Sequence, residues 1–211
     1  GHIPRDTKLV FQHTDYGAHP YYFRHFDSQD VSLVPHQSIF ETALRDGVGA
    51  DKMLVTGIST AQAYREPVTL KEKSNLRESL KIPQDQKVLF FFSGKNAIGD
   101  FDKIIKELIK KPELQSQNIR LSVVAGENKA IAKKLENLKS KLPAGFELEI
   151  LGLMKPEEAA QRVRAADIII GKAGGLTSTE VLRSQVPAVF LDINGGQEAL
   201  NIELFQKEGV G

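Results

Sequence analysis

From residue 88 onward, short apolar runs alternate with stretches whose apolar positions recur every three or four residues. Val88-Leu89-Phe90-Phe91-Phe92 is uniformly apolar, as a strand buried on both faces would be. Residues 101–110 carry Ile104, Ile105, Leu108 and Ile109 at helical spacing. The same rhythm predicts a strand at 119–125, a helix at 129–142 and a strand at 146–151. A helix at 156–165, a strand at 167–171, a helix at 176–184, a strand at 188–191 and a helix near 198–207 complete the series. Strands joined by helices lie parallel, and a parallel sheet is covered on both faces. The fold class is α/β, with a Rossmann-like sheet from about residue 66 onward.

The first part of the chain reads differently. Residues 9–11 and 31–34 predict two strands, followed by a helix at 37–45 and a strand at 53–56. Two or three strands and one helix cannot cover both faces of a sheet, so this portion reads as incomplete by itself. The expected division is residues 1–57 as the end of one domain, 58–66 as a linker and 67–211 as the second domain. Because the chain stops where another strand is expected, that second domain reads as truncated at its C-terminus.

Composition narrows the possibilities without choosing among them. The 211 residues are 41% hydrophobic and 26% charged, with a net charge of +1, which gives no general reason to expect nucleic acid as partner. There is no cysteine, so neither disulfides nor a thiolate metal site can form. No apolar run approaches the roughly eighteen residues a membrane-spanning helix needs.

Two glycine turns carry the chemistry. Apolar Ile168-Ile169-Ile170 runs into Gly171-Lys172-Ala173-Gly174-Gly175-Leu176-Thr177, which opens a helix bearing Glu180 in its second turn. Glycine lets backbone N–H groups approach a phosphate, and the positive end of the helix faces the charge. A carboxylate farther along can accept hydrogen bonds from ribose hydroxyls. The second cluster, Asn194-Gly195-Gly196-Gln197-Glu198, also follows an apolar strand. Ligands of parallel sheets bind beyond the carboxyl ends of the strands, where both turns fall.

Four segments occur together in this chain: Thr14-Asp15-Tyr16-Gly17-Ala18-His19, Val55-Thr56-Gly57-Ile58, Gly171-Lys172-Ala173-Gly174-Gly175-Leu176-Thr177, and Gly196-Gln197-Glu198 with Asn201. In their order and spacing they resemble the family 28 glycosyltransferases. The likeness is strongest to the glycolipid-forming branch, the monogalactosyldiacylglycerol synthases and processive diacylglycerol glucosyltransferases. It extends more distantly to the bacterial GlcNAc transferase that makes lipid II. The resemblance covers about residues 8–211. It implies a GT-B fold, with a UDP-sugar donor domain and a lipid-acceptor domain of which only the last part is present. It also implies metal-independent inverting transfer of a hexose to a lipid such as diacylglycerol. No cofactor, metal or nucleic acid is expected beyond the UDP-sugar. The protein is expected to be cytoplasmic and peripheral on a membrane surface.

Residue by residue, the resemblance puts the UDP ribose at Glu180 and the diphosphate at Gly174, Gly175, Leu176 and Thr177. Lys172 either neutralises the diphosphate or is a solvated strand-end lysine. Gln197 and Glu198 are placed at the donor hexose, although Glu198 also suits the first turn of a helix. Leu153 and Met154, after the strand at 146–151, are expected to wall the uracil. Gly94 and Lys95 follow the first strand of the donor domain, where the family commonly has a richer glycine loop. Asp15 and His19 are the catalytic candidates, orienting the acceptor hydroxyl or taking its proton; a turn and cap is the plain alternative. Asp100-Phe101-Asp102 invites a metal reading, but Asp100 is expected to cap a helix instead. The five histidines all fall within the first 36 residues and match no zinc spacing. Lysines 103, 106, 110 and 111 could meet an anionic membrane, with a solvated helix face as the simpler reading. Two rival functions remain open: a non-catalytic UDP-sugar-binding module of a split transferase, and a UDP-sugar 2-epimerase of the same fold.

Overall fold

The computed structural model describes residues 6–17, 29–92, 100–191 and 196–209. Of the residues singled out above, Ala18, His19, Gly94, Lys95, Asn194 and Gly195 lie outside them, as does the side chain of Gln197. The described residues divide into two compact units. One draws on Gly1–Ser59, Ala173–Leu176 and Asn194–Val210, the other on Thr60–Lys172 and Thr177–Ile193.

The larger unit holds a five-stranded, all-parallel sheet. Its strands are β4 (Lys87–Phe92), β5 (Ile119–Gly126), β6 (Phe146–Gly152), β7 (Ile168–Lys172) and β8 (Ala188–Leu191), in the order β6-β5-β4-β7-β8. The chain therefore builds outward from β4 in one direction, then returns and builds outward from β7 in the other. Between β4 and β7 lies the topological switch point, where sheets of this kind open a crevice at the carboxyl ends of their strands. The register Phe92↔Gly171 brings the two strands together just before the first glycine turn. A Cβ on Gly171 would overlap the Phe92 carbonyl oxygen, so only glycine permits this pairing.

Two apolar layers cover the sheet. On one side Phe91, Leu121, Val123, Leu148 and Ile170 meet Phe101 and Ile105 of α3 (Phe101–Leu108) and Leu135 and Leu138 of α5 (Lys129–Lys139). On the other, Phe90, Val124 and Ile169 meet Ala160 and Val163 of α6 (Pro156–Ala165) and Val181 of α7 (Gly175–Ser184). Both faces are apolar because alternate residues of every strand must be buried.

Two differences from the sequence reading stand out. A helix, α2 (Leu70–Ser79), precedes β4, and a short one, α4 (Pro112–Gln115), follows α3. α2 is held at its start by a reciprocal capping box between Thr69 and Glu72. Within the stretch read as a linker, residues 62–64 form a 3₁₀ turn and Tyr64 is buried in the apolar layer that holds Val181. Arg164 donates to the Ala63 carbonyl at 2.6 Å and Arg183 to the Tyr64 carbonyl at 3.1 Å, which pins the turn to α6 and α7.

The smaller unit has a three-stranded parallel sheet, β1 (Val10–Gln12), β2 (Val31–Val34) and β3 (Met53–Val55), in that order. Val34 and Met53 pack with Ile39 and Ala43 of α1 (Gln37–Arg45). The same unit contains the Ala173–Leu176 turn and α8 (Gln197–Lys207).

Candidate functional site

β7 ends at Lys172 and the chain turns through Ala173 and Gly174 directly into α7, which begins at Gly175. β8 lies parallel beside β7 with Lys172 opposite Leu191, so the two strands end together at one edge of the sheet. Gly196 stands at the N-cap of α8 with φ 65°, a backbone that glycine adopts freely and residues with a side chain rarely do.

In the larger unit Glu180 is the carboxylate whose surroundings compensate it least. It lies in the second turn of α7, one turn beyond Thr177, and is half-buried. Among the described residues no cation or hydrogen-bond donor is joined to its carboxylate. Burial without compensation favours the neutral acid, and its pKa is pushed up to about 7. The Tyr64 hydroxyl is pushed up as well, first by burial and then by the negative charge of Glu180. An acceptor so placed suits a pair of incoming hydroxyls. Lys172 and Thr177 are half-buried at the end of β7 and the start of α7.

Leu153 is 57% exposed just past β6, and Met154 rests partly on the apolar layer beside it. β6 stands three strand spacings from β7, roughly 14 Å.

In the smaller unit the Ala173–Leu176 turn meets the segment that follows β1. A Cβ on Gly175 would overlap the Thr14 carbonyl oxygen and come within 2.9 Å of the Asp15 Cα. Glycine is needed there for a close backbone approach inside the protein, a reason distinct from the approach of a phosphate expected from sequence. The Gly175 N–H donates to Asp15 Oδ1 at 3.4 Å, so the Asp15 carboxylate stands at the start of α7. Leu176 is exposed, and Glu198 is half-buried in the first turn of α8.

Asn201 was legible only as part of a motif. It is fully buried on α8, and all four of its side-chain hydrogen bonds are made. Oδ1 accepts from the N–H groups of Tyr16 at 2.7 Å and Gly17 at 2.9 Å. Nδ2 donates to the Ala173 carbonyl at 2.7 Å and to Asp15 Oδ1 at 3.3 Å.

The acidic pair at the start of α3 takes up cations of its own helix. Asp100 receives Lys103 at 2.6 Å, and Asp102 receives Lys106 at 2.8 Å. Asp100 occupies the N-cap position without a side-chain bond to a helix N–H, contrary to the capping role expected of it; its carboxylate accepts from Lys103 instead.

No family model matches the chain. Among curated proteins it is 28% identical over 183 residues to monogalactosyldiacylglycerol synthase 2 of Arabidopsis thaliana, covering 84% of this chain and 37% of that one. It is 27% identical over 180 residues to a processive diacylglycerol beta-glucosyltransferase of Bacillus licheniformis, covering 85% and 44%. The chain resembles glycolipid-forming glycosyltransferases. It spans less than half the length of these relatives.

Among solved structures, MurG of Acinetobacter baumannii matches with a TM-score of 0.63 at 15% identity, covering 97% of this chain and 52% of that one. The UDP-GlcNAc 2-epimerase of Neisseria meningitidis, solved with UDP-GlcNAc bound, matches with a TM-score of 0.60 at 16% identity, covering 93% and 60%. These likenesses show the fold, a Rossmann-like α/β fold of the GT-B type. No described helix is long and apolar enough to cross a membrane.

Proposed function

We propose that the chain carries the UDP-sugar-binding part of a glycosyltransferase that moves a hexose to a diacylglycerol-type lipid. The observation that carries this reading is Glu180: a half-buried carboxylate, unpaired among the described residues, on the helix that a glycine turn opens at the carboxyl end of β7. A buried charge normally has a partner, and two ribose hydroxyls would supply one.

In this reading the N–H groups of Gly174 and Leu176 and the Thr177 hydroxyl face the diphosphate, the Gly175 N–H being taken up by Asp15, with Lys172 and Lys95 adding charge and Gly94 adding backbone. Gln197 and Glu198 take the hexose, and Leu153 and Met154 line the uracil. The acceptor hydroxyl oxygen attacks the anomeric carbon from the face opposite the diphosphate. The bond from that carbon to the UDP oxygen breaks, and the hydroxyl proton passes to a base, for which Asp15 and His19 are the candidates. Attack from that face inverts the anomeric centre, and the helix N-terminus, in the place a metal would take, stabilises the charge left on UDP. A protein that meets a lipid acceptor in this way works peripherally at a membrane.

The test is calorimetry with UDP on the wild type and on Glu180→Ala. UDP binding by the wild type, and its loss in the variant, are expected; equal affinity in both removes the central claim. The likeness in fold to a 2-epimerase supports a second reading, in which the bound UDP-sugar is isomerised. Incubation with UDP-GlcNAc separates the two: an epimer supports the second reading, and release of UDP with an acceptor lipid supports the first.

A further inference from the structure

A phosphate-facing turn works only if its amides stay aimed at one point. The turn between β7 and α7 is Ala173 and Gly174, two residues without a polar side chain of their own. One side chain that grips it comes from α8. Asn201 is buried at 0% exposure, and its orientation is fixed by its partners: only an oxygen can face the Tyr16 and Gly17 N–H groups, and only an NH₂ can face the Ala173 carbonyl. Four residues farther along the same helix face, Phe205 meets the Tyr16 ring edge-on at 5.3 Å, a second point of grip on the same segment.

We propose that Asn201 is a positioning residue. Its side-chain amide ties the Tyr16–Gly17 backbone and the Ala173 carbonyl into one frame, which keeps the turn amides aimed at the ligand's phosphates and keeps Asp15 beside them. The part that concerns phosphate rests on the reading given under Proposed function; the clamp itself does not. A buried amide of this kind leaves two donors and one acceptor without partners when it is removed, so its loss is felt at both ends.

Two variants of the full chain separate those ends. Asn201→Asp keeps an acceptor for the Tyr16 and Gly17 N–H groups but loses the donor to the Ala173 carbonyl and sets a second carboxylate against Asp15. Asn201→Ala loses both. Hydrogen exchange is expected to show Tyr16 and Gly17 protected as in the wild type in Asn201→Asp and exposed in Asn201→Ala, with the Gly175 amide exchanging faster in both. Affinity for UDP should fall by about tenfold or more in both variants, while affinity for uridine, which has no phosphate, stays within about twofold. A merely structural role would weaken UDP and uridine in proportion, and that result overturns the proposal. So does unchanged exchange at Tyr16 and Gly17 in Asn201→Ala. If the wild type binds no UDP, the ligand reading fails, and the exchange data still decide whether the clamp exists.

Discussion

The two ends of β7 each present a carboxylate, and the protein treats them in opposite ways. Just before the strand, Asp167 receives Arg77 at 2.7 Å, Lys73 at 2.8 Å and the Val88 N–H at 2.8 Å. Burial works against its charge, but these three bonds outweigh burial and hold the carboxyl below its ordinary value. Beyond the strand, Glu180 is buried to a similar degree without such bonds, and its pKa is pushed the other way, to about 7. Similar burial with opposite consequence sets a carboxylate whose charge is met within the fold apart from one whose charge is met by no cation or donor among the described residues. The satisfied end joins α2, β4 and β7; the unsatisfied end lies at the switch point of the sheet, where ligands of this architecture bind.

The strongest way to break this comparison is to exchange the consequences. Asp167→Ala leaves the buried Arg77 guanidinium short of its anion and should cost on the order of 3 kcal/mol in denaturant unfolding. UDP affinity of the folded protein should be unchanged. Stability intact with UDP binding lost would mean that the two ends are not separate in function. Glu180→Gln should act in reverse. It removes an uncompensated charge, so the ligand-free protein should melt at a higher temperature above pH 7, while UDP binding weakens by about 100-fold. A variant that is less stable and equally avid would give Glu180 a structural role.

Much of the contrast was legible in sequence at one end and invisible at the other. Glu180 stands out in sequence because glycine turn, helix and carboxylate are contiguous, so a local pattern points to it. Asp167 was read only as the start of a strand, since its partner Arg77 stands 90 positions earlier. Arg77 belongs to α2, the helix that periodicity failed to reveal. Leu70 there is 88% exposed, Arg77 is its one buried residue and Leu76 alone within it rests on the apolar layer, so the repeating apolar stripe that sequence reading looks for is missing. The Thr69 and Glu72 capping box was the signal that could have found it. Asn201 shows the same limit: its bond to Tyr16 spans 185 positions, and nothing near it in sequence states what it holds.

Acid and base titration should sharpen the comparison, because the two carboxylates carry opposite signs. The folded pKa of Glu180 is above its unfolded value of 4.5, so the folded state keeps this proton longer. Its contribution to stability is full below pH 4.5, declines as pH rises toward 7 and is flat beyond. Asp167 is depressed below 3.8, so its contribution is present above that value and is lost as pH falls through the folded pKa. Unfolding measured from pH 3 to 8 should show both slopes, and Glu180→Gln should abolish the one between 4.5 and 7 alone. Affinity for a UDP-sugar, whose diphosphate ester does not titrate in this range, should rise as pH passes 7 and Glu180 ionises, by at most about tenfold per unit. Affinity independent of pH from 6 to 8 would remove ionised Glu180 from the ligand contacts.

The smallest effect concerns how far the unsatisfied edge extends. Leu153 follows β6, on the outer side of the sheet from β7, and more than half of its surface is in solvent. A side chain so exposed contributes little to the fold, so Leu153→Ala should change stability by no more than about 0.5 kcal/mol. If uracil is read here through the backbone, the same variant should also leave UDP affinity within about threefold, because alanine keeps the peptide N–H and carbonyl. Leu153→Pro removes that N–H and should weaken UDP while leaving inorganic pyrophosphate binding unchanged. Should alanine weaken UDP as much as proline does, the exposed leucine side chain itself makes the contact, and the edge that receives the ligand is apolar at β6 as well as charged at α7.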